Sequence, residues 1–154
     1  MKYDIVICGV GGQGILALSA FLAKCAHEAG LYVKQSEVHG MAQRGGAVVA
    51  HLRLADKNIF SPLIPEHSAD MLIGLDPLET YRYMNYANKE TKLIVSANPV
   101  LNIPNYPPLA TVLEPLRKAK ALLLEKASNI MLAGTASKFI PIDIKYTFRS
   151  EIAS

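Results

Sequence analysis

Directly behind a short β-branched run, YDIVICG, the chain reads GVGGQG and then ILALSAFLAKCAHEAG. A strand ending on glycine, a turn with G-x-G-x-x-G spacing at Gly9, Gly11 and Gly14, and an apolar helical repeat immediately after leave few folds open. The order predicts the opening unit of a Rossmann-like α/β domain. Gly9 is expected to permit the tight turn, Gly11 to let a ligand or chain approach the backbone, and Gly14 to allow close packing of helix on strand. The unpaired amides of the helix start would suit an anion, although a ligand-free turn could use the same glycines.

The rest of the chain keeps the alternation. Leu16, Ala17, Ala20, Leu22, Ala23 and Ala26 maintain an apolar surface at helical period, and Gly30 supplies a stop. LYVKQSE and AVVAHLRLA read as strands on either side of a glycine-rich loop, and NIFSPLIPE, with two prolines, as an irregular crossing. DMLIGL is a further buried strand. DPLETYRYMNYAN places Asp76 at a helix N-cap with Pro77 in the first turn. TKLIVSANP supplies another strand and NPVLNIPNYPPLA an irregular loop, while EPLRKAKALLLEKASNIMLAGTASKF reads as one interrupted helix or two consecutive ones. The tail after Pro141 is polar and fits either a strand or the start of a further element. Buried runs alternating with helices predict a mostly parallel sheet with helices on both faces, in one domain over residues 1–154.

Composition narrows the function classes. Apolar residues at 51% and charged residues at 19% exclude general disorder and fit a surface partly covered by a partner. Sixteen Lys and Arg against 13 Asp and Glu are scattered without a run of one sign, so nucleic acid is not the expected partner. No apolar stretch reaches the 18 or so residues of a membrane span, and the chain opens straight into a strand pattern, so a soluble cytoplasmic protein is expected. Cys8 and Cys25 fall on a predicted strand and helix without CxxC spacing, which fits buried thiols rather than a disulfide or a metal site.

The loop SEVHGMAQRGG, residues 36–46, carries more polar equipment than a connection needs. A dinucleotide site would want an acidic residue about 20 positions beyond the glycines; Glu37 stands 23 after Gly14, but His39, Gly40, Met41, Gln43 and Arg44 follow it and exceed what a ribose clamp requires. The turn also resembles that of enzymes that adenylate carboxyl termini. Those need an acidic pair at the second strand end, absent from KQSEVHG, and often a downstream cysteine, whereas none follows Cys25. His39 and Arg44 have the chemistry of a base and a charge stabiliser. A nucleophile, metal or organic cofactor to complete them is not evident, and His27, His51 and His67 are too dispersed to form a metal cluster with His39. A loop that docks a partner fits the same residues: Gly40, Gly45 and Gly46 allow close approach while the side chains present donors. Loop and glycine turn are both expected at the carboxyl end of the sheet.

GVGGQGI, SEVHGMAQRGGAVVAHLR and SPLIPE followed by ADMLIGLDPLE, in that order over roughly residues 3 to 141, resemble the gamma-type subunits of 2-oxoacid:ferredoxin oxidoreductases, in particular those of the indolepyruvate branch. The resemblance implies a Rossmann-like subunit working with a larger one that carries thiamine diphosphate and 4Fe-4S clusters. Such a complex decarboxylates a 2-oxoacid, passes electrons to ferredoxin and forms acyl-CoA from coenzyme A. For the indolepyruvate branch, aryl pyruvates would give aryl-acetyl-CoA. It also implies that this chain by itself binds neither thiamine nor a cluster and is inactive alone; a cluster takes four Cys ligands. By the same resemblance Gly9, Gly11, Gly12 and Gly14 form the family's glycine turn. Glu37, His39, Gly40, Gln43, Arg44, Gly45 and Gly46 form the loop facing the partner and coenzyme A, with Arg44 contacting a coenzyme A phosphate or a partner carboxylate. Family members continue into further helix beyond the position of Pro141, so a shortened carboxyl end is expected here.

Overall fold

A computed structural model describes residues 1–39, 46–101 and 103–140. Six strands, β1 (Lys2–Val10), β2 (Tyr32–His39), β3 (Ala47–Ala55), β4 (Met71–Gly74), β5 (Lys92–Ser96) and β6 (Leu122–Leu124), form one sheet in the order β2-β3-β1-β4-β5-β6. Among the described residues four α-helices accompany them, α1 (Ile15–Glu28), α2 (Pro77–Arg82), α3 (Leu109–Lys118) and α4 (Asn129–Ser137), with a 3-10 turn at Met84–Tyr86. β1, β4, β5 and β6 run parallel, as expected for the first three from their buried apolar runs. β3 is antiparallel to both of its neighbours, β1 and β2. The segment joining β2 to β3 is too short for a parallel crossover, which takes a dozen or more residues, so the two strands close as a hairpin.

The helices cover both faces, and the pleat of β1 sorts them. Ile5 and Ile7 point to the side of α1 and α4, where they join Leu18, Leu22, Leu132 and Ala136 in the main core. Val6 and Cys8 point to the other side, with Val49, Leu72 and Leu93, and Tyr83 and Tyr86 close that cluster. α3 packs Leu113 and Leu116 on Val95. Both Cys8 and Cys25 are buried free thiols.

Two expectations are corrected between Glu114 and Phe139. The helix begins at Leu109, five residues upstream of the expected Glu114, with Pro108 at its cap; Pro115 lies inside it. The helix then gives way to extended chain: Leu122–Leu124 form the edge strand β6, in parallel register with Ile94, Val95 and Ser96. A run of Lys, Ala, Leu and Glu favours helix locally, but Lys120 at φ 60° and Lys126 at φ 50° break the chain on either side, and pairing to β5 decides Leu122–Leu124 between them. The tail from Pro141 lies outside the described residues.

β3 also carries a pH-sensitive tie. His51, 4% exposed, accepts a hydrogen bond at Nδ1 from Ile64 N at 2.9 Å, which only the ring without a proton on Nδ1 can do. Burial, with help from the Arg53 guanidinium, lowers its pKa from the ordinary 6.5. A folded-state value below the unfolded one gives stability that is complete above about pH 6.5 and is lost as pH falls toward the folded value. Urea titrations should therefore show stability falling between about pH 7 and pH 5, with a smaller fall in His51→Leu.

Candidate functional site

The carboxyl edge of the sheet is assembled around the turn after β1. Gly12 at φ 95° and Gly14 at φ 86° take left-handed conformations, and Gly14 caps α1. A Cβ at Gly14 would stand 2.3 Å from Asn129 Nδ2, at the start of α4. A Cβ at Gly9 would meet Gln13 Oε1 at 2.7 Å and Leu75 Cβ at 3.0 Å. The expected division of labour among the glycines is thus reversed at its ends: Gly9 is the close-packing position, and Gly14 makes the turn and admits Asn129.

Gln13, the one side chain inside GVGGQG besides Val10, spans the turn. Its Oε1 accepts from Val10 N at 2.7 Å, and its Nε2 donates to Leu75 O at 2.9 Å, beyond β4. Its carbonyl accepts from Asn129 Nδ2 at 3.0 Å. Gly11 N donates to Gly46 O at 2.8 Å and Gln13 N to Val10 O at 3.1 Å. The polar loop and the glycine turn therefore meet at Gly46 and Gly11, on the edge where ligands of open α/β sheets collect. Of the other loop residues, His39 ends β2 opposite Val48, and Gly40, Gln43, Arg44 and Gly45 lie outside the described residues.

The dinucleotide alternative loses its geometry here. In that fold the strand bearing the acidic residue neighbours β1. Here β3 intervenes, so Glu37 on β2 stands two strand spacings away, about 10 Å. The Gly11 amide that a pyrophosphate would approach is already donated to Gly46.

Beside the turn lies a cleft of about 210 Å³ whose polar lining is Gln13, Ser96, Asn98 and Asn129, all uncharged. One wall is held by Asp76, 1% exposed, whose carboxylate accepts from Glu79 N at 2.9 Å, Val100 N at 2.8 Å and Tyr106 Oη at 3.2 Å. The sequence marks Asp76 as a helix cap only; its hold on the proline-rich segment is a long-range property. Burial, then the Asp76 carboxylate, push the Tyr106 phenol above its ordinary value. Glu79, 3% exposed, keeps Oε1 3.7 Å from Arg82 Nε, while its Oε2 has no hydrogen-bond partner among the described residues; burial raises its carboxyl above the ordinary range. Burial likewise raises the Cys8 thiol, which makes it a poor nucleophile. Among the described residues no three His, Cys, Asp or Glu side chains are grouped to hold a metal ion.

The fold and this edge define a class: an open α/β domain that presents a glycine turn and a neutral cleft, without an exposed catalytic set among the described residues. The chain belongs to the pyruvate ferredoxin/flavodoxin oxidoreductase family, whose pattern matches residues 4–150. It is 43% identical to indolepyruvate oxidoreductase subunit IorB of Archaeoglobus fulgidus, over 85% of this chain and 71% of that protein. Among solved structures, pyruvate oxidoreductase subunit PORC of Thermotoga maritima superposes with a TM-score of 0.69 at 20% identity, covering 99% of this chain and 84% of that one. The 2-oxoglutarate:ferredoxin oxidoreductase of Magnetococcus marinus, solved with 2-oxoglutarate, coenzyme A and succinyl-CoA bound, shares the fold with a TM-score of 0.68 at 16% identity; the match covers 97% of this chain and 26% of that one. No helix among the described residues is long and apolar enough to cross a membrane.

Proposed function

We propose that this chain is the small subunit of a 2-oxoacid:ferredoxin oxidoreductase acting on indolepyruvate or a related aryl pyruvate, in which a larger subunit carries the cofactors. The observation that carries the reading is the Gly11–Gly46 junction, which sets the polar loop against the glycine turn at a sheet edge whose described residues offer shape and neutral donors but no reactive group. The described residues do not fit the cofactors of such a reaction. The chain has two cysteines, both buried, where a cluster takes four, and Asp76 is committed to its own backbone amides and a phenol. Decarboxylation and electron transfer to ferredoxin accordingly belong to the partner, and this chain shapes and closes the site. The amides and hydroxyl of the cleft suit the uncharged amide-bearing arm of coenzyme A; its phosphates, or a partner carboxylate, would need the cation that Arg44 supplies.

The test is reconstitution. The chain alone, given indolepyruvate, coenzyme A and ferredoxin, should give no turnover, and addition of the thiamine-bearing subunit should give aryl-acetyl-CoA, CO2 and reduced ferredoxin. Turnover by the isolated chain would sink the reading, as would micromolar binding of NAD, NADP or FAD in calorimetry. Arg44→Ala should lower kcat/KM for coenzyme A by about 10-fold to 100-fold, the value of one charge-assisted hydrogen bond, with assembly preserved. Unchanged kinetics would remove Arg44 from the site and favour a scaffolding role.

A further inference from the structure

The segment between β3 and β4 exposes Phe60 at 93% and Leu63 at 54%, although the chain around them is firmly held. Arg53 Nη1 donates to Ser61 O at 3.1 Å and Leu63 O at 2.9 Å, and its Nε donates to Asp4 Oδ1 at 2.9 Å; Asp4 is fully buried. Ile64, 3% exposed, plugs the sheet face while its amide is held by His51. Buried polar groups thus fix a backbone whose outward side chains are apolar. Exposing a side chain of this size forgoes about 1.5–3 kcal/mol of burial, and fixing its backbone beforehand lowers the entropy lost when a partner covers it.

Phe60 borders an open cleft of about 510 Å³ that includes Met1, Ala55 and Ile59. The charges around the cleft do not balance. Among the described residues, the Met1 amine, Lys2, Arg53 and exposed Lys57 stand around the cleft against only Asp56, which the Met1 amine and Lys57 both approach, and Asp4, which Lys2 and Arg53 share, so positive charge is in excess by two. A second copy docking by two-fold symmetry would set these cations near one another, whereas a different protein with acidic groups around an apolar socket would neutralise them.

We propose that Phe60 and Leu63 form a preset anchor that seats in an apolar, acid-rimmed socket on the larger subunit, with Lys57 contacting the rim. This rests on the reading of the chain as a small subunit. β3, nine residues long, runs from the Gly46 junction toward this segment, so Phe60, near Ala55, lies about 25–30 Å from the glycine turn, and Leu63, beside His51 and Arg53, about 15–20 Å from it. Assembly through Phe60 is therefore separable from turnover.

Titrating the chain into the thiamine diphosphate-binding subunit, with calorimetry for affinity and acyl-CoA formation for rate, decides the matter. Phe60→Ser should raise Kd about thirtyfold or more and Lys57→Glu about threefold to tenfold. Both should keep kcat at saturating subunit and the melting temperature of the free chain, since neither side chain is buried. An unchanged Kd in Phe60→Ser overturns the anchor while leaving the subunit reading in place. Failure of the wild-type chain to bind or restore turnover overturns both. Self-association in sedimentation velocity that Phe60→Ser abolishes would assign the surface to a second copy and overturn the proposed occupant.

Discussion

Gly74→Ala is expected to destabilise the domain by about 3 kcal/mol or more, a large part of the 5–15 kcal/mol typical of a folded domain. Gly74 ends β4 between Cys8 of β1 and Val95 of β5, so its backbone is fixed on both sides. A Cβ there would lie 1.6 Å from Thr80 Oγ1 and within 2.9 Å of Thr80 Cβ and Cγ2. Thr80 cannot turn away freely: it is fully buried, and its hydroxyl donates to Asp76 O at 2.7 Å, inside the first turn of α2. Relief requires moving α2 off the sheet, and with it Asp76 and the wall of the cleft. Urea unfolding of Gly74→Ala measures the loss. Adding Thr80→Gly should recover most of it, less about 1 kcal/mol for glycine in a helix; Thr80→Ala should recover less, because its Cβ would remain 2.8 Å from the new one. A Gly74→Ala protein as stable as wild type would show that α2 packs on β4 more loosely than these distances imply.

Asp76→Ala is expected to cost about 3–4 kcal/mol and to open the proline-rich segment. Removing the carboxylate deletes the cap of α2, worth about 1 kcal/mol, and leaves the part-buried Val100 amide and the Tyr106 O–H without their acceptor, each at about 1–3 kcal/mol, while the Tyr106 oxygen keeps the bond from Leu78 N. Asp76→Asn retains one acceptor oxygen and should fall between the two. Hydrogen exchange offers the sharper readout, since protection of the Val100 amide should collapse in Asp76→Ala. In the reconstituted complex the same variant should lose coenzyme A affinity through Val100 and Asn98, which line the cleft. Faster exchange confined to α2 would mean that Asp76 serves only as a cap.

Local signals were legible where the chain could satisfy them by itself. The β-branched run and helical repeat around GVGGQG specify β1 and α1, and Asp76 before Pro77 specifies the start of α2, because caps and periodicity act over a few residues. The two prolines of NIFSPLIPE specify an irregular crossing for the same reason. Membership in the family was legible as well, through three motifs in fixed order.

Contacts between distant residues decided the rest. Glu37 lies 23 positions after Gly14 whether β2 sits beside β1 or one strand further out, and only the insertion of antiparallel β3 removes it from the turn. The glycines announce a turn, but which one packs and which one bends depends on Leu75 and Asn129. Gln13 sits in plain view within the motif, yet its role as a strut needs an acceptor 62 residues away. The triple leucine of β6 favours helix until β5 lies beside it. By itself the sequence determined the kind of element at most positions and the family to which the chain belongs. Strand order, the antiparallel course of β3 and the junction of turn and loop at Gly11 and Gly46 were decided only by tertiary structure, because pairing free energy is realised between segments that local propensity cannot see.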